Sequence, residues 1–435
     1  MKPFKNTGLA LLLAAMAIMP SCKKEIGSLN SPIIEDFTNA SKSQLNNLVS
    51  GTESGLRNNY AMYLDVVGVI GREMYRFSQA DPRYLSDLLG GGSATLNNNT
   101  FYLTNPWASR YRVVKNCNII IDAATSTSLL TDEERKGYLG FAKTIKAYQL
   151  LLNLNMTYTN GIRIDVDDPD NLGPIVNKDE ALTAIAGILD EAKADLSAAP
   201  SLAFPLSSGF TGFKSPAGLI QFNRAIAARV AIYRAQWAAA LTALTESFFD
   251  LDGPLNLGVY QVFGTGSGDQ LNAAFFPQNE NGEVRLAQPA FATDIIPGDD
   301  RISKATLRNA TATSSGLSSN RDVWVYTTPT TPVGLIRNEE LILIYAEAKI
   351  RLAQYPDAIV ALNQIRSSHN LTPYAGAITE AALINELLYQ RRYSLFFEGH
   401  RWVDMRRYNR LNQLPIDRPG DDVWEMFPLP LTEEF

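Results

Sequence analysis

The sequence predicts a mostly α-helical protein built from tetratricopeptide-like helix pairs, with a loop-rich variable region and short β segments. Three observations predict this. Apolar residues recur at three- and four-residue steps along much of the chain, the period of a one-sided helix. Residues 216–248 and 338–368 each hold two such helices in a span near the ~34-residue period of tetratricopeptide repeats. Residues 90–106 and 251–335 lose the periodicity in runs rich in Gly, Asn, Thr, Ser and Pro. At 46% hydrophobic and 19% charged residues, the 435-residue chain can build a sizeable core and is too weakly charged to be disordered.

The elements follow in order. Lys2 and Lys5 precede an apolar run over residues 8–19. That run is shorter than the ~20 residues that cross a membrane, so it reads as a signal-peptide core. Met19-Pro20-Ser21-Cys22 follows and resembles the lipobox of bacterial lipoproteins. The resemblance implies cleavage before Cys22 and lipid attachment to its thiol. Buried acyl carbons contribute ~0.8 kcal/mol per methylene, and two or more chains hold a protein on a membrane. Residues 1–21 are therefore expected to be a signal peptide and residues 22–42 an anchor and tether. Residues 43–435 are expected to form one domain. Its helical scaffold is 43–250 and 336–435, with 251–335 as a loop-rich insertion.

Within that domain the first helix is expected over 43–60, with Leu45, Leu48, Val49, Thr52 and Leu56 on one face. The second is expected over 109–124. The third opens on a capping box, Thr131 with Glu134, in which each side chain satisfies the other's free backbone N–H. Tyr138, Phe141, Ile145, Tyr148 and Leu152 continue it. The fourth covers 179–196. The fifth starts with Ser215 as cap and Pro216 in the first turn, where a missing N–H costs nothing. A partner helix follows over 237–248. Further helices are expected over 338–352, from Pro356 onward, and over 379–397. Small residues such as Ala228, Ala231, Ala346 and Ala348 allow close packing of the pairs.

The composition excludes several functions. A formal charge of −6 makes nucleic acid a poor partner. Two cysteines and two histidines leave no disulfide framework and no zinc module. Cys117, on an apolar stripe, reads as a small buried hydrophobe. Gly264-Thr265-Gly266-Ser267-Gly268 lacks the spacing and following helix of a nucleotide loop. Asp165, Asp167 and Asp170 lack the Gly and Glu that a calcium-binding EF-hand loop needs, and read as a solvated turn. His400 between Glu398-Gly399 and Arg401 reads as a helix end, not as acid–base machinery. No cofactor, metal or catalytic residue is expected.

The C-terminal residues resemble the SusD/RagB family of outer-membrane lipoproteins. The resemblance is carried by Arg337-Asn338-Glu339-Glu340, Tyr345-Ala346-Glu347-Ala348 and Ala361 to Arg366. It continues through Glu398-Gly399-His400-Arg401-Trp402-Val403-Asp404 and ends with Phe427-Pro428-Leu429-Pro430. Gln390 and Ser394 depart from it, standing where the family usually has acids. The resemblance implies four tetratricopeptide-like helix pairs with a variable loop face, and no catalysis. It implies a lipid-anchored protein of the outer membrane, facing the exterior, partnered by a SusC-like TonB-dependent barrel. The cargo would be a nutrient, commonly an oligosaccharide. Arg401, Trp402 and Asp404 would be scaffold. The alternative is a tetratricopeptide-like adaptor lipoprotein that organises envelope complexes without a small ligand.

A sugar-binding surface needs flat aromatic faces for the C–H side of the ring and polar groups for the hydroxyls. Outside the helix stripes the expected ligand contacts are Tyr75, Tyr84, Tyr102, Trp324 and Tyr326. Arg72, Arg76, Asp81, Arg83 and Asn98 are their expected polar companions. Trp107 is assigned to the core.

Overall fold

The computed structural model describes residues 37, 39–168 and 170–433. The expected signal peptide and Cys22 lie outside the described residues. Two helices, α1 (Lys42–Leu56) and α2 (Tyr60–Ile70), open the fold. Ser41 caps α1 in a reciprocal box with Gln44. The expected first helix ran on to residue 60, but the chain turns at Asn59, whose φ of 52° is left-handed. Helix α2 was not expected. It is buried on nearly every side, so its sequence carries no amphipathic stripe.

Strand β1 (Met74–Phe77) and the short α3 (Arg83–Ser86) lead to α4 (Phe101–Ser126). The expected irregular stretch ended at Pro106, yet α4 begins at Phe101 and includes that proline. A proline removes a helical hydrogen bond and crowds the preceding turn. Burial of Tyr102, Leu103 and Trp107 in the same two turns outweighs that cost. Helix α5 (Asp132–Thr157) starts at the expected Thr131–Glu134 box. The small β2 (Ile162–Arg163) and β3 (Ile175–Val176) pair before α6 (Lys178–Ser197). Ser215 then caps α7 (Pro216–Tyr233), and α8 (Trp237–Thr245) folds back on it. Each helix of the series α4–α8 packs on the next, as a helical-hairpin solenoid requires.

The segment expected to be loop-rich holds strands as well as loops. They are β4 (Gly258–Gln261), β5 (Val284–Ala287), β6 (Ala305–Ser314), β7 (Leu317–Val323) and β8 (Val333–Arg337), with the one-turn α9 (Ala290–Thr293) among them. One sheet has the order β1-β5-β7-β6, so its first strand comes from the N-terminal part of the chain. Met74 faces Ala287 and Phe77 faces Val284 in antiparallel register. β6 and β7 form a hairpin whose turn, Ser315-Gly316, has positive φ at both residues. That geometry follows the right-handed twist of the strands. β4 pairs with β8 and closes the segment at its base.

Three further helices, α10 (Asn338–Arg351), α11 (Tyr355–Ser368) and α12 (Glu380–Ser394), share one apolar core. Ile342, Ala346, Ala358, Leu362, Leu383 and Leu387 are all fully buried within it. After α12 the chain turns through Phe397 and Gly399, both at positive φ, into α13 (Arg401–Arg407). The helix itself ends at Ser394 with Leu395 as its C-cap, so Gly399 is a turn residue before α13 and not the expected stop. The described residues from 39 onward cluster as one unit. Among the described residues no helix is long and apolar enough to cross a membrane.

Candidate functional site: an aromatic and guanidinium patch

Opposing residues on β1 and β5 start the site. Arg76 and Arg285 face each other across the two strands. Two like charges in register repel, and the fold answers with Asp65 of α2. Arg285 donates to both Asp65 oxygens, Nε at 2.5 Å and Nη2 at 2.8 Å. Arg76 lies 3.6 Å from the same carboxylate and donates from Nη2 to Glu283 at 2.6 Å. Burial pushes the Glu283 carboxyl up, but Ser78 and Arg76 together hold it below its usual range.

These guanidiniums are faced by rings. Phe276 lies under Arg285 at 4.1 Å and under Arg76 at 4.7 Å. Arg76 also covers Tyr84 at 5.2 Å, and Tyr84 meets Phe101 edge-on at 5.2 Å. Arg83, paired with Asp81, covers Phe101 at 4.9 Å. Phe275, next in the chain to Phe276, contacts Trp324 with ring centroids 6.1 Å apart. The result is a connected line of rings and guanidiniums from Phe101 to Trp324. Phe101, Phe275, Phe276 and Trp324 are half-buried, so part of each remains open to solvent. Arg285 Nη1 donates to the carbonyls of Ala273 and Ala274 and so pins the loop that carries the two phenylalanines.

The five expected ligand contacts divide sharply. Trp324 belongs to the line, at the end of the hairpin, with its backbone N–H bonded to the Lys304 carbonyl. The other four are buried by packing. Tyr75 is 1% exposed and stacks on Phe77, with its hydroxyl against Asp417 and Gln288. Tyr102 is 0% exposed and donates to Asp87 at 2.9 Å. Tyr326 is 5% exposed and donates to the Phe397 carbonyl. Tyr84 is 8% exposed, a wall of the patch and not its surface. Burial pushes its phenol up to about 12. Packing leaves these rings almost no exposed face for stacking.

The polar companions divide in the same way. Arg72, at φ 53°, is a buried clasp that donates to the carbonyls of Leu89, Pro415 and Asp422. Arg76 is buried in the patch, and Asp81 with Arg83 forms its rim. The backbone carbonyl of Asn98 accepts from Leu431. The reading of the sequence missed Phe101, Phe275 and Phe276. Two adjacent phenylalanines before Pro277, inside a polar run, were the available signal.

The C-terminal block is a different construction. Asp404 accepts from Arg391 at 2.6 Å and from Arg407 at 2.9 Å, and Arg407 also pairs with Glu347. Arg229 grips Glu340 with two bonds. Ser394, where an acid was expected from the resemblance, accepts from Arg301 at 2.9 Å. Trp402 is fully buried and donates to the Trp424 carbonyl. Burial pushes the His400 imidazole down to about 4, so it is neutral at pH 7. Trp107 and Cys117 are both buried, as expected.

Residues 292–423 match the SusD family. A SusD-like protein of Formosa agariphila is 32% identical over 109 residues, 22% of this chain. The match spans 22% of that relative's own length. Among solved structures, a SusD superfamily protein from Bacteroides vulgatus aligns over 91% of this chain and 97% of its own, at 15% identity and a TM-score of 0.68. The surface glycan-binding protein A from Bacteroides thetaiotaomicron, solved in complex with laminarihexaose, aligns over 90% and 97%, at 13% identity and a TM-score of 0.69. At these identities the solved structures speak for the fold.

Proposed function

We propose, for a chain that belongs to the SusD/RagB family, that it is a non-catalytic binding protein for a nutrient glycan. In this reading it is lipid-anchored through Cys22 on the outer membrane and hands its cargo to a SusC-like TonB-dependent barrel. The observation that carries the reading is the half-open line of Phe101, Phe276, Phe275 and Trp324, edged by exposed polar side chains. Pyranose rings present C–H groups on their faces and hydroxyls on their rims. Flat aromatic faces suit the first, and the Arg83–Asp81 pair and Gln278 suit the second. The chain runs through this region on loops held by a rigid sheet, where binding residues are commonly placed.

The test is a glycan panel that includes laminarihexaose, read by isothermal calorimetry on the chain beginning at residue 23. Saturable binding that Trp324→Ala weakens supports the reading. A panel without binding, together with co-purification of envelope proteins, would favour the adaptor alternative. Delivery is tested by co-purification with a SusC-like barrel from membranes. Exposure is tested by protease accessibility on intact cells, and the anchor by loss of acylation in Cys22→Ala.

A further inference from the structure

Two cavities of about 350 and 160 Å³ lie at the C-terminal end of α1, the smaller one lined also by Ala273 and Ala274 of the loop that carries Phe275 and Phe276. Arg57 and Gln261 line both. Glu53 and Tyr260 complete the larger one, and Asn58 and Phe263 the smaller.

Gln261 is the unusual member. It ends β4, opposite Val333 of β8, and is 4% exposed. Neither its Nε2 nor its Oε1 has a hydrogen-bond partner. An amide buried without partners is unfavourable, and a native fold normally satisfies one. Its neighbours are already committed. Arg57 donates to the Val262 carbonyl at 2.9 Å and to Asp269 at 2.5 Å. Glu53 accepts from the Ser207 backbone N–H, and burial holds its carboxyl above the usual range. The glycine-rich run at residues 264–268 serves this place. It turns back through the Asp269 N–H to Gly266 carbonyl bond and so brings Asp269 onto Arg57.

We propose that this double cavity is a second sugar subsite, in which Gln261 binds the vicinal hydroxyls of a neutral monosaccharide unit. A planar amide sets one donor and one acceptor side by side, and two adjacent ring hydroxyls offer the complementary pair. A trans acetamide carries its donor and acceptor on opposite sides and cannot meet both atoms of one glutamine. Arg57 is already paired with Asp269 and so is not free to hold an anion, and Tyr260 in the larger cavity and Phe263 in the smaller give a ring's C–H face an apolar wall. The larger cavity falls within the ~300–1,000 Å³ range of small-molecule sites. This inference rests on the glycan-binding reading and adds a place and a sugar chemistry to it.

The test pairs crystal soaks with saturation-transfer NMR, using D-glucose, D-galactose and D-mannose as probes on the chain beginning at residue 23. A ring in the cavity within hydrogen-bond distance of the Gln261 amide is expected. Gln261→Leu crystals soaked at the same concentration should show no ring in the cavity, and the saturation-transfer signal should fall in Gln261→Leu. Because the amide makes no hydrogen bond, Gln261→Leu should melt at or above the wild-type temperature. Water alone in the cavity, or equal signals from wild type and Gln261→Leu, overturns the subsite. If oligosaccharides still bind in a Trp324-dependent way, the glycan reading survives that failure. If no glycan binds anywhere, both fall together.

Discussion

The C-terminal block and the aromatic patch use the same side chains, arginine, carboxylate and aromatic ring, to opposite ends. In the block each acid is enclosed by cations. Asp404 takes Arg391 and Arg407, Glu340 takes Arg229, and Glu398 takes Arg337. In the patch a carboxylate, Asp65, sits beneath two arginines whose other faces carry half-open rings. The first arrangement fixes helices against each other. The second holds an aromatic surface still while leaving part of it wet. The acid's partners are buried in both, so what separates binding surface from scaffold in this fold is the half-open rings on the arginines' other faces.

The largest effect expected follows from the block. Asp404→Ala leaves Arg391 and Arg407 buried with a partner removed, and breaking such a pair costs about 3–5 kcal/mol. Urea unfolding measures it. The same variant, held at a temperature where it is folded, should keep wild-type glycan affinity. A stable variant with lost affinity would erase the contrast between the two regions.

Tyr75→Ala is next. Tyr75 was expected to touch ligand, but its ring is packed on Phe77 and beside Asp417. Truncating so buried a ring costs about 3 kcal/mol. Thermal unfolding should show a lower Tm with affinity unchanged once the protein is folded. An intact Tm with weakened binding would return Tyr75 to the ligand side of the comparison.

Glu73 sharpens the comparison through pH. It is buried beside the sheet, accepts one bond from the Phe397 N–H, and has one oxygen without a partner. Burial pushes its carboxyl up to about 8 from the ordinary 4.5. An acid with a raised folded-state pKa contributes full stability below 4.5 and loses it as pH climbs through 8. Between pH 5 and 8 the loss is about 2 kcal/mol once relaxation of the site is allowed for. Glu73→Gln, which mimics the protonated acid, should flatten that slope in urea unfolding at the two pH values. An unchanged slope would show that Glu73 does not titrate in this window.

The helices that were legible carry a cap or an apolar stripe in the sequence, even where, as over residues 144–157, every residue is buried. The stripe from Tyr138 to Leu152 and the caps at Thr131 and Ser215 stand where the periodicity puts them. Helix α2 was hidden because its apolar run shows no stripe and no side chain caps it, and the first turns of α4 because Pro106 argues locally against a helix that tertiary burial sustains. The site was less legible than the fold. Tyr75, Tyr102 and Tyr326 look exposed only while their distant partners, Asp417, Asp87 and Phe397, are unknown. Phe275 and Phe276 look like core until Arg285 is seen pinning the loop before them at the surface.

Trp324→Ala has the smallest expected effect on the fold and the most direct effect on the patch. Trp324 is half-buried, touches Phe275, and is placed by a backbone bond to Lys304 that the substitution keeps. Its loss should cost stability less than about 1.5 kcal/mol, because no buried polar group is stranded. A stacking face worth about 1.4 kcal/mol corresponds to tenfold in affinity. Calorimetry should therefore show roughly tenfold weaker glycan binding beside a small shift in Tm. Trp324→Phe keeps a flat face and should restore most of the affinity, which a purely structural role for the indole would not predict. If the alanine variant instead unfolds early and binds normally when folded, Trp324 joins the four tyrosines in the packing, and the open surface contracts to Phe101, Phe275 and Phe276.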